Sequence, residues 1–228
     1  GPAGNMSSEG GVDLGQPGLI DDRGDLPLPD SEGDFALIES AFRDIGRPFV
    51  ALGGDHAITY PILRGLCAGR EPVNVLHFDA HPDLYDVFEG NRLSHACPFA
   101  RIMEDGLARR LVQVGIRAST THQREQARRF GVDTVFMEAF SPAAVPIPDG
   151  PLYVTVDLDG LDPAVAPGVA HPEPGGLTVR DVMAVLKRIR GPLVGADVVE
   201  LNPARDPLGL TAAVAAKLVK ELGARMIA

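Results

Sequence analysis

Apolar residues along this chain recur with two different spacings, and the two take turns. After Gly33, Phe35, Ile38, Ala41 and Phe42 fall at helical spacing. Residues 48–52 (PFVAL) read as a short buried strand, and residues 57–66 as the helix that follows. The alternation continues with a strand at 73–79 and a helix at 94–104 capped by Ser94. Residues 111–116 form the next strand and 122–129 a polar-faced helix. Residues 152–157 are a strand rich in β-branched residues. A helix at 178–189 carries Asp181 three residues after its Thr178 cap. A strand at 193–200 and a helix at 211–222 complete the pattern.

Strands alternating with helices predict an α/β fold with a mostly parallel central sheet. In such sheets ligands sit beyond the carboxyl ends of the strands. Residues 1–32, rich in Gly, Pro and Asp, show no periodicity and are expected to be largely irregular. No repeat or linker divides the sequence, so residues 1–228 are read as one domain.

Composition narrows the function classes. A net charge of -10 repels nucleic acid and anionic membranes and mildly favours cationic ligands. The absence of tryptophan and an aromatic content of 5% leave little for a base-stacking platform. No apolar run reaches the length of a membrane span. The opening GPAGNMSSEGG lacks the basic segment and apolar core of a secretory signal. Two cysteines, Cys67 and Cys97, are too few for a disulfide framework, so a cytoplasmic location is expected.

Polar residues normally avoid buried strands, yet acids and histidines gather where the predicted strands end. Gly53-Gly54-Asp55-His56-Ala57 follows the first strand, and Asp79-Ala80-His81-Pro82-Asp83 the second. Asp157-Leu158-Asp159-Gly160-Leu161-Asp162-Pro163 and Asp197-Val198-Val199-Glu200-Leu201-Asn202-Pro203 close two later ones. Asp79, His81 and Asp83 stand at i, i+2 and i+4, which in extended chain shares one face. Pro82 disfavours helical geometry at His81. Asp157 and Asp159 repeat the i, i+2 spacing. Four carboxylates brought together repel one another, and two divalent cations would balance them. A mainly oxygen ligand set with two imidazoles, His56 and His81, suits manganese better than zinc or copper. His77 is read as core or supporting packing, His122 as a surface residue and Cys97 as a small packing residue.

GGDHA, DAHPD and DLDGLDP resemble the three signatures of the ureohydrolase (arginase/agmatinase) family, in the family's order. The resemblance runs from about Asp34 to the C-terminus. It is nearest to plant-type arginases and bacterial agmatinase-like relatives across HPDLYDVFEGNRLSHACPFARIMEDG and APGVAHPEPGGLT. It implies a three-layer α/β/α fold, a homo-oligomer and a hydrolase that uses two manganese ions to release urea from a small cationic guanidino substrate. His56, Asp79, Asp83 and Asp157 are then expected to hold one ion, and Asp79, His81, Asp157 and Asp159 the other. Glu200 matches the guanidinium-binding glutamate and His95 the mobile, proton-shuttling histidine. His95 also falls at the predicted helix start, where the dipole disfavours the imidazolium. His171 stands where the family often has a hydroxyl residue lining the substrate pocket.

Departures from the family pattern bear on substrate. Ala57 replaces the usual serine, and the segment before GGDHA is shorter than usual, so the N-terminal portion is read as shortened. Tyr85 and Arg92-Leu93-Ser94 stand where animal-type arginases carry their recognition set for the amino-acid end. Asp86 and Glu89 in the adjoining loop would attract an amine and repel a carboxylate. Agmatine is therefore the expected substrate. Arginine, formimidoylglutamate or a catalytically silent relative are the alternatives.

Overall fold

The computed structural model describes residues 6–29, 31, 33–206 and 208–227. Strands β1 (Val50–Leu52), β2 (Val73–Phe78), β3 (Ala108–Ile116), β4 (Asp133–Phe136), β5 (Leu152–Asp157) and β6 (Leu193–Val199) form one sheet in the order β1-β6-β5-β2-β3-β4. Every pairing is parallel. Helices α1 (Asp34–Arg43), α2 (Thr59–Leu66), α3 (Pro98–Glu104) and α4 (Thr121–Phe130) cover one face, and α5 (Val179–Leu186) and α6 (Leu210–Ile227) the other. This is the three-layer α/β/α architecture.

Strand alternation sorts the two cores. Val73 and Val75 of β2 pack with Ile62, Leu63, Phe99 and Ile102, whereas Leu76 and Phe78 pack with Val182, Leu186, Leu218 and Leu222. Burial on both faces is why these strands read as apolar runs. After β2 the chain moves outward to β3 and β4, then returns to place β5 on the other side of β2. The carboxyl ends of β2 and β5 therefore flank a topological switch point, the usual place for a ligand.

Several local expectations are corrected. The helix at 94–104 begins only at Pro98, whose ring suits the first helical position. Ser94 makes no helix cap; its Oγ accepts from Ala96 N at 3.4 Å. His95 thus lies before the helix rather than at its start, and the dipole argument for it lapses. The edge strand β4, only four residues long, had no clear periodicity. By contrast, Thr178 and Asp181 form a reciprocal capping box at the start of α5. The irregular N-terminal stretch is tethered: Ser7 bridges Asp13, Leu14 is buried, and Glu9 pairs with Arg180 and Lys217.

Candidate metal centre

The acids meet at the carboxyl ends of β2 and β5, and turns bring them there. Asp79 follows β2; its Oδ1 accepts from His81 N (2.6 Å) and its Oδ2 lies 2.7 Å from His77 Nε2. Asp83 has left-handed backbone, φ 48°. The expectation of an extended Asp79–Asp83 with one shared face is thereby corrected: a tight turn swings Asp83 back over His56. Asp157 ends β5 and its Oδ1 accepts from Asp159 N (2.7 Å) across a short 3₁₀ turn. Two glycines let the turns close on Asp79. A Cβ on Gly160 would lie 2.8 Å from Asp79 N and Cα, and one on Gly115 (φ 99°) 2.9 Å from Asp79 O.

All six residues expected as ligands come together. His56 Nδ1 lies 3.1 Å from Asp157 Oδ2, 3.2 Å from Asp83 Oδ2 and 3.4 Å from Asp79 Oδ2. His81 Nδ1 lies 3.2 Å from Asp159 Oδ2 and 3.5 Å from Asp79 Oδ1. His56, Asp79, Asp83 and Asp157 form one group with ligand atoms within 4.8 Å of one another, and Asp79, His81 and Asp159 another. His77, with His56 and Asp79, completes a third such group.

The electrostatics call for a cation. Burial, then Asp159 and Asp79, raise the Asp157 carboxyl well above its ordinary range. Burial and Asp79 push Asp159 up to about 7 and Asp83 to about 6. Burial alone would lower His81, but Asp159 and Asp79 hold it at about 11. Burial likewise opposes charge on His56, and Asp157, Asp79 and Asp83 outweigh it. His56 Nδ1, fully buried, has no hydrogen-bond partner although three carboxylates surround it. Such a nitrogen fits a metal ion, and the oxygen-rich set around it fits a hard divalent one.

The remaining expected residues line the rim. Glu200, half-buried with φ 67°, accepts from His56 N through Oε1 (2.8 Å), and its own N–H donates to Gly54 O (2.6 Å). A non-glycine residue held there is strained, and such strain gathers at working sites. His95 Nδ1 lies 3.7 Å from Asp55 Oδ2, and its ring stacks on His171 at 5.5 Å. His171, exposed, also meets His81 edge-on at 6.5 Å. Ala57 is buried and its N–H donates to Asp55 Oδ1 (2.7 Å). His122 lies exposed on α4, stacked on Tyr85, and Cys97 is buried beside α3. Thr155 and Gln113 were not singled out from the sequence, though Thr155 touches His56 and Gln113 touches His77. Their signal was available: polar residues inside buried strands, Thr155 two positions before Asp157.

The arginase family model matches residues 7–224. The chain belongs to the arginase family. This ureohydrolase is 47% identical over 246 residues to "Arginase 1, mitochondrial" of Oryza sativa subsp. indica, covering 97% of this chain and 71% of the rice protein. The structure of arginase from Medicago truncatula superimposes with a TM-score of 0.90 at 46% identity, covering 98% of this chain and 77% of that one. Guanidinopropionase of Pseudomonas aeruginosa is 40% identical, over 89% of this chain and 70% of its own length. The ureohydrolase is thus a hydrolase acting on guanidino substrates, and its His and Asp groups are candidates to hold the metal of a family whose enzymes are dinuclear. None of its described helices is long and apolar enough to cross a membrane.

Proposed function

We propose that this ureohydrolase is one domain that releases urea from a guanidino acid, L-arginine first, at a centre of two manganese ions. The observation that carries the reading is His56 Nδ1, buried and unpartnered amid the carboxylates of Asp79, Asp83 and Asp157. His56, Asp79, Asp83 and Asp157 would hold one ion, and Asp79, His81, Asp157 and Asp159 the other. Such a pair, when bound, supplies counter-charge to the acids and activates water toward the guanidinium carbon.

The chain's own groups do the rest. Glu200 spends Oε1 on His56 N, leaving Oε2 for the N–H groups of a planar guanidinium. His95, on the rim, is placed to exchange protons between solvent and the leaving amine. His171, stacked on His95, lines the entrance and contacts the substrate's tail.

The choice of an amino-acid substrate departs from agmatine. Asp86, half of the charge argument for agmatine, is already committed to Arg92 and Arg101. The rice and Pseudomonas relatives are named for arginine and guanidinopropionate, both acids. One observation keeps agmatine as a second reading. A cavity of about 500 Å³ beside His95 is lined by Asp34, Asp55 and Glu89, with no lysine or arginine among its described lining residues. Urea release from arginine, agmatine, guanidinopropionate and formimidoylglutamate, after manganese loading, decides among them. Release from none of the four would leave a silent relative.

Two further expectations complete the reading. Two free, buried cysteines suit a reducing compartment such as the cytoplasm. A homo-oligomer, as the family likeness implies, is tested by sedimentation.

A further inference from the structure

Four polar side chains stand side by side across the middle of the sheet, on the face under α1–α4. Asp197 of β6 is the register partner of Thr155 of β5, Thr155 of His77 of β2, and His77 of Gln113 of β3. All four are fully buried. A buried strand face is normally apolar, because each polar group there must find a partner. This row lies two residues before Asp79 and Asp157, directly beneath the candidate ligands on the same face.

Each end of the row reaches one of those ligands. At the Gln113 end, Gln113 Nε2 faces Pro82 O (2.6 Å), a pure acceptor, which orients the amide. The same Nε2 donates to His77 Nδ1 (3.1 Å), so the His77 hydrogen sits on Nε2 and is given to Asp79 Oδ2. At the other end, Thr155 Oγ1 lies 2.9 Å from His56 Nε2. Asp197 Oδ2 accepts from Thr59 Oγ1 (2.8 Å) and Tyr153 OH (2.7 Å), while the buried Oδ1 has no hydrogen-bond partner among the described residues. The Thr155 hydroxyl stands beside that carboxylate, Thr155 and Asp197 being register neighbours on one face of the sheet. A threonine hydroxyl has one proton to give. Given to Asp197, it leaves Oγ1 to accept from His56 Nε2–H. The His56 lone pair is then on Nδ1, the nitrogen that faces Asp79, Asp83 and Asp157.

Building on the two-ion reading above, we propose that Thr155 and Asp197 are positioning residues that select Nδ1 of His56 as its metal-ligating nitrogen. Neither touches substrate. They act through His56, as outer partners of metal-bound histidines do.

The test loads wild type and variants with manganese and strips loose metal by gel filtration. It then reads ions per chain, their affinities and the electron paramagnetic resonance spectrum. Thr155→Val keeps the shape and removes the hydroxyl; one ion should weaken by about 10–100-fold, and the spectrum should shift from a coupled pair toward an isolated ion. Thr155→Ser should restore the pair. Asp197→Asn turns the acceptor beside Thr155 into a donor. The Thr155 proton then goes to His56, the ring hydrogen is forced onto Nδ1, and the same ion should be lost. This second variant decides the matter if Thr155→Val does not fold, as judged by circular dichroism. A folded Thr155→Val or Asp197→Asn that keeps both ions at wild-type affinity overturns the proposal. Wild type unable to hold two ions would overturn the two-ion reading beneath it.

Discussion

Two acidic regions lie close together in this molecule and treat charge in opposite ways. In the loop after β2, Asp86 pairs with Arg92 and Arg101, and Glu104 with the same two arginines (3.0 and 2.8 Å). Arg101 also donates to Asp86 O (2.8 Å). At the strand ends, Asp79, Asp83, Asp157 and Asp159 face one another and two imidazoles instead. Arg117, near Asp159, gives its donors to main-chain carbonyls such as Asp159 O (2.7 Å) and Glu173 O (2.6 Å). The consequence shows in their proton affinities. Arg101 holds Asp86 below its ordinary range, whereas burial and the neighbouring acids drive Asp157 far above it. An acid matched to an arginine is a strut; acids buried against each other are a socket for a cation from outside.

The sharpest way to break that comparison is to neutralise one acid in each region. Asp157→Asn should reduce urea release to background, as should dialysis against a chelator, with manganese restoring activity better than magnesium or zinc. Asp86→Asn should cost about 1 kcal/mol of stability and leave kcat near wild type. Asp162→Asn, which loses only turn hydrogen bonds to Ala164, Gly175 and Gly176, should resemble the latter. Equal losses in steady-state kinetics would erase the distinction between strut and socket.

His95→Ala comes next in size. It should lower kcat by about 10²–10⁴ with manganese content unchanged, the proposed role of His95 being to move protons without holding metal. A near-normal kcat would place His95 outside the chemistry.

Stability against pH offers a subtler division. In the metal-free chain, His81 is raised from 6.5 to about 11, and His56 is raised as well. A group raised on folding stabilises fully below its unfolded value and loses that contribution as pH climbs toward the folded one. Metal-free protein should therefore lose stability between about pH 6.5 and about pH 11. The manganese-loaded protein should show no such loss over that window, since bound ions hold the carboxylates and imidazoles deprotonated in the folded state and the same groups are already deprotonated in the unfolded chain. Denaturant midpoints with chelator and with manganese measure the two slopes; an equal fall in both would argue against ions in this cluster.

The smallest effect concerns substrate preference. Glu89, in the cavity wall, makes no described ion pair, so Glu89→Gln should raise kcat/KM for arginine relative to agmatine by up to about tenfold. Asp86→Asn should leave that ratio unchanged, its charge being matched already by Arg92 and Arg101. A larger shift from Asp86 than from Glu89 would restore the loop's acidity as the determinant.

Much of this was legible along the chain. The alternation of β-branched runs with amphipathic stretches predicted the parallel α/β sheet, because burial on both faces demands such runs. The ligand candidates stood out because charge at the end of an apolar strand has no reason to be there except a ligand or a cap. The Thr178–Asp181 box was readable since both partners lie within one helical turn. What escaped is equally specific: β4 was too short to show a period, and the Ser94 cap lost to the Pro98 start.

The sequence alone determined which chemistry the chain carries, through acids and histidines set at strand ends in the family's order. The tertiary structure decided which of them meet. Asp83 reaches His56 only through a left-handed turn, and Asp86 is matched by Arg101 of α3 as well as by Arg92 of its own loop. The row Asp197–Thr155–His77–Gln113 exists only because β6, β5, β2 and β3 are neighbours in an order the chain does not follow. Local periodicity records which face of a strand is buried. Which strand lies beside it, and in what register, is set by packing on both faces of the sheet among residues far apart in sequence.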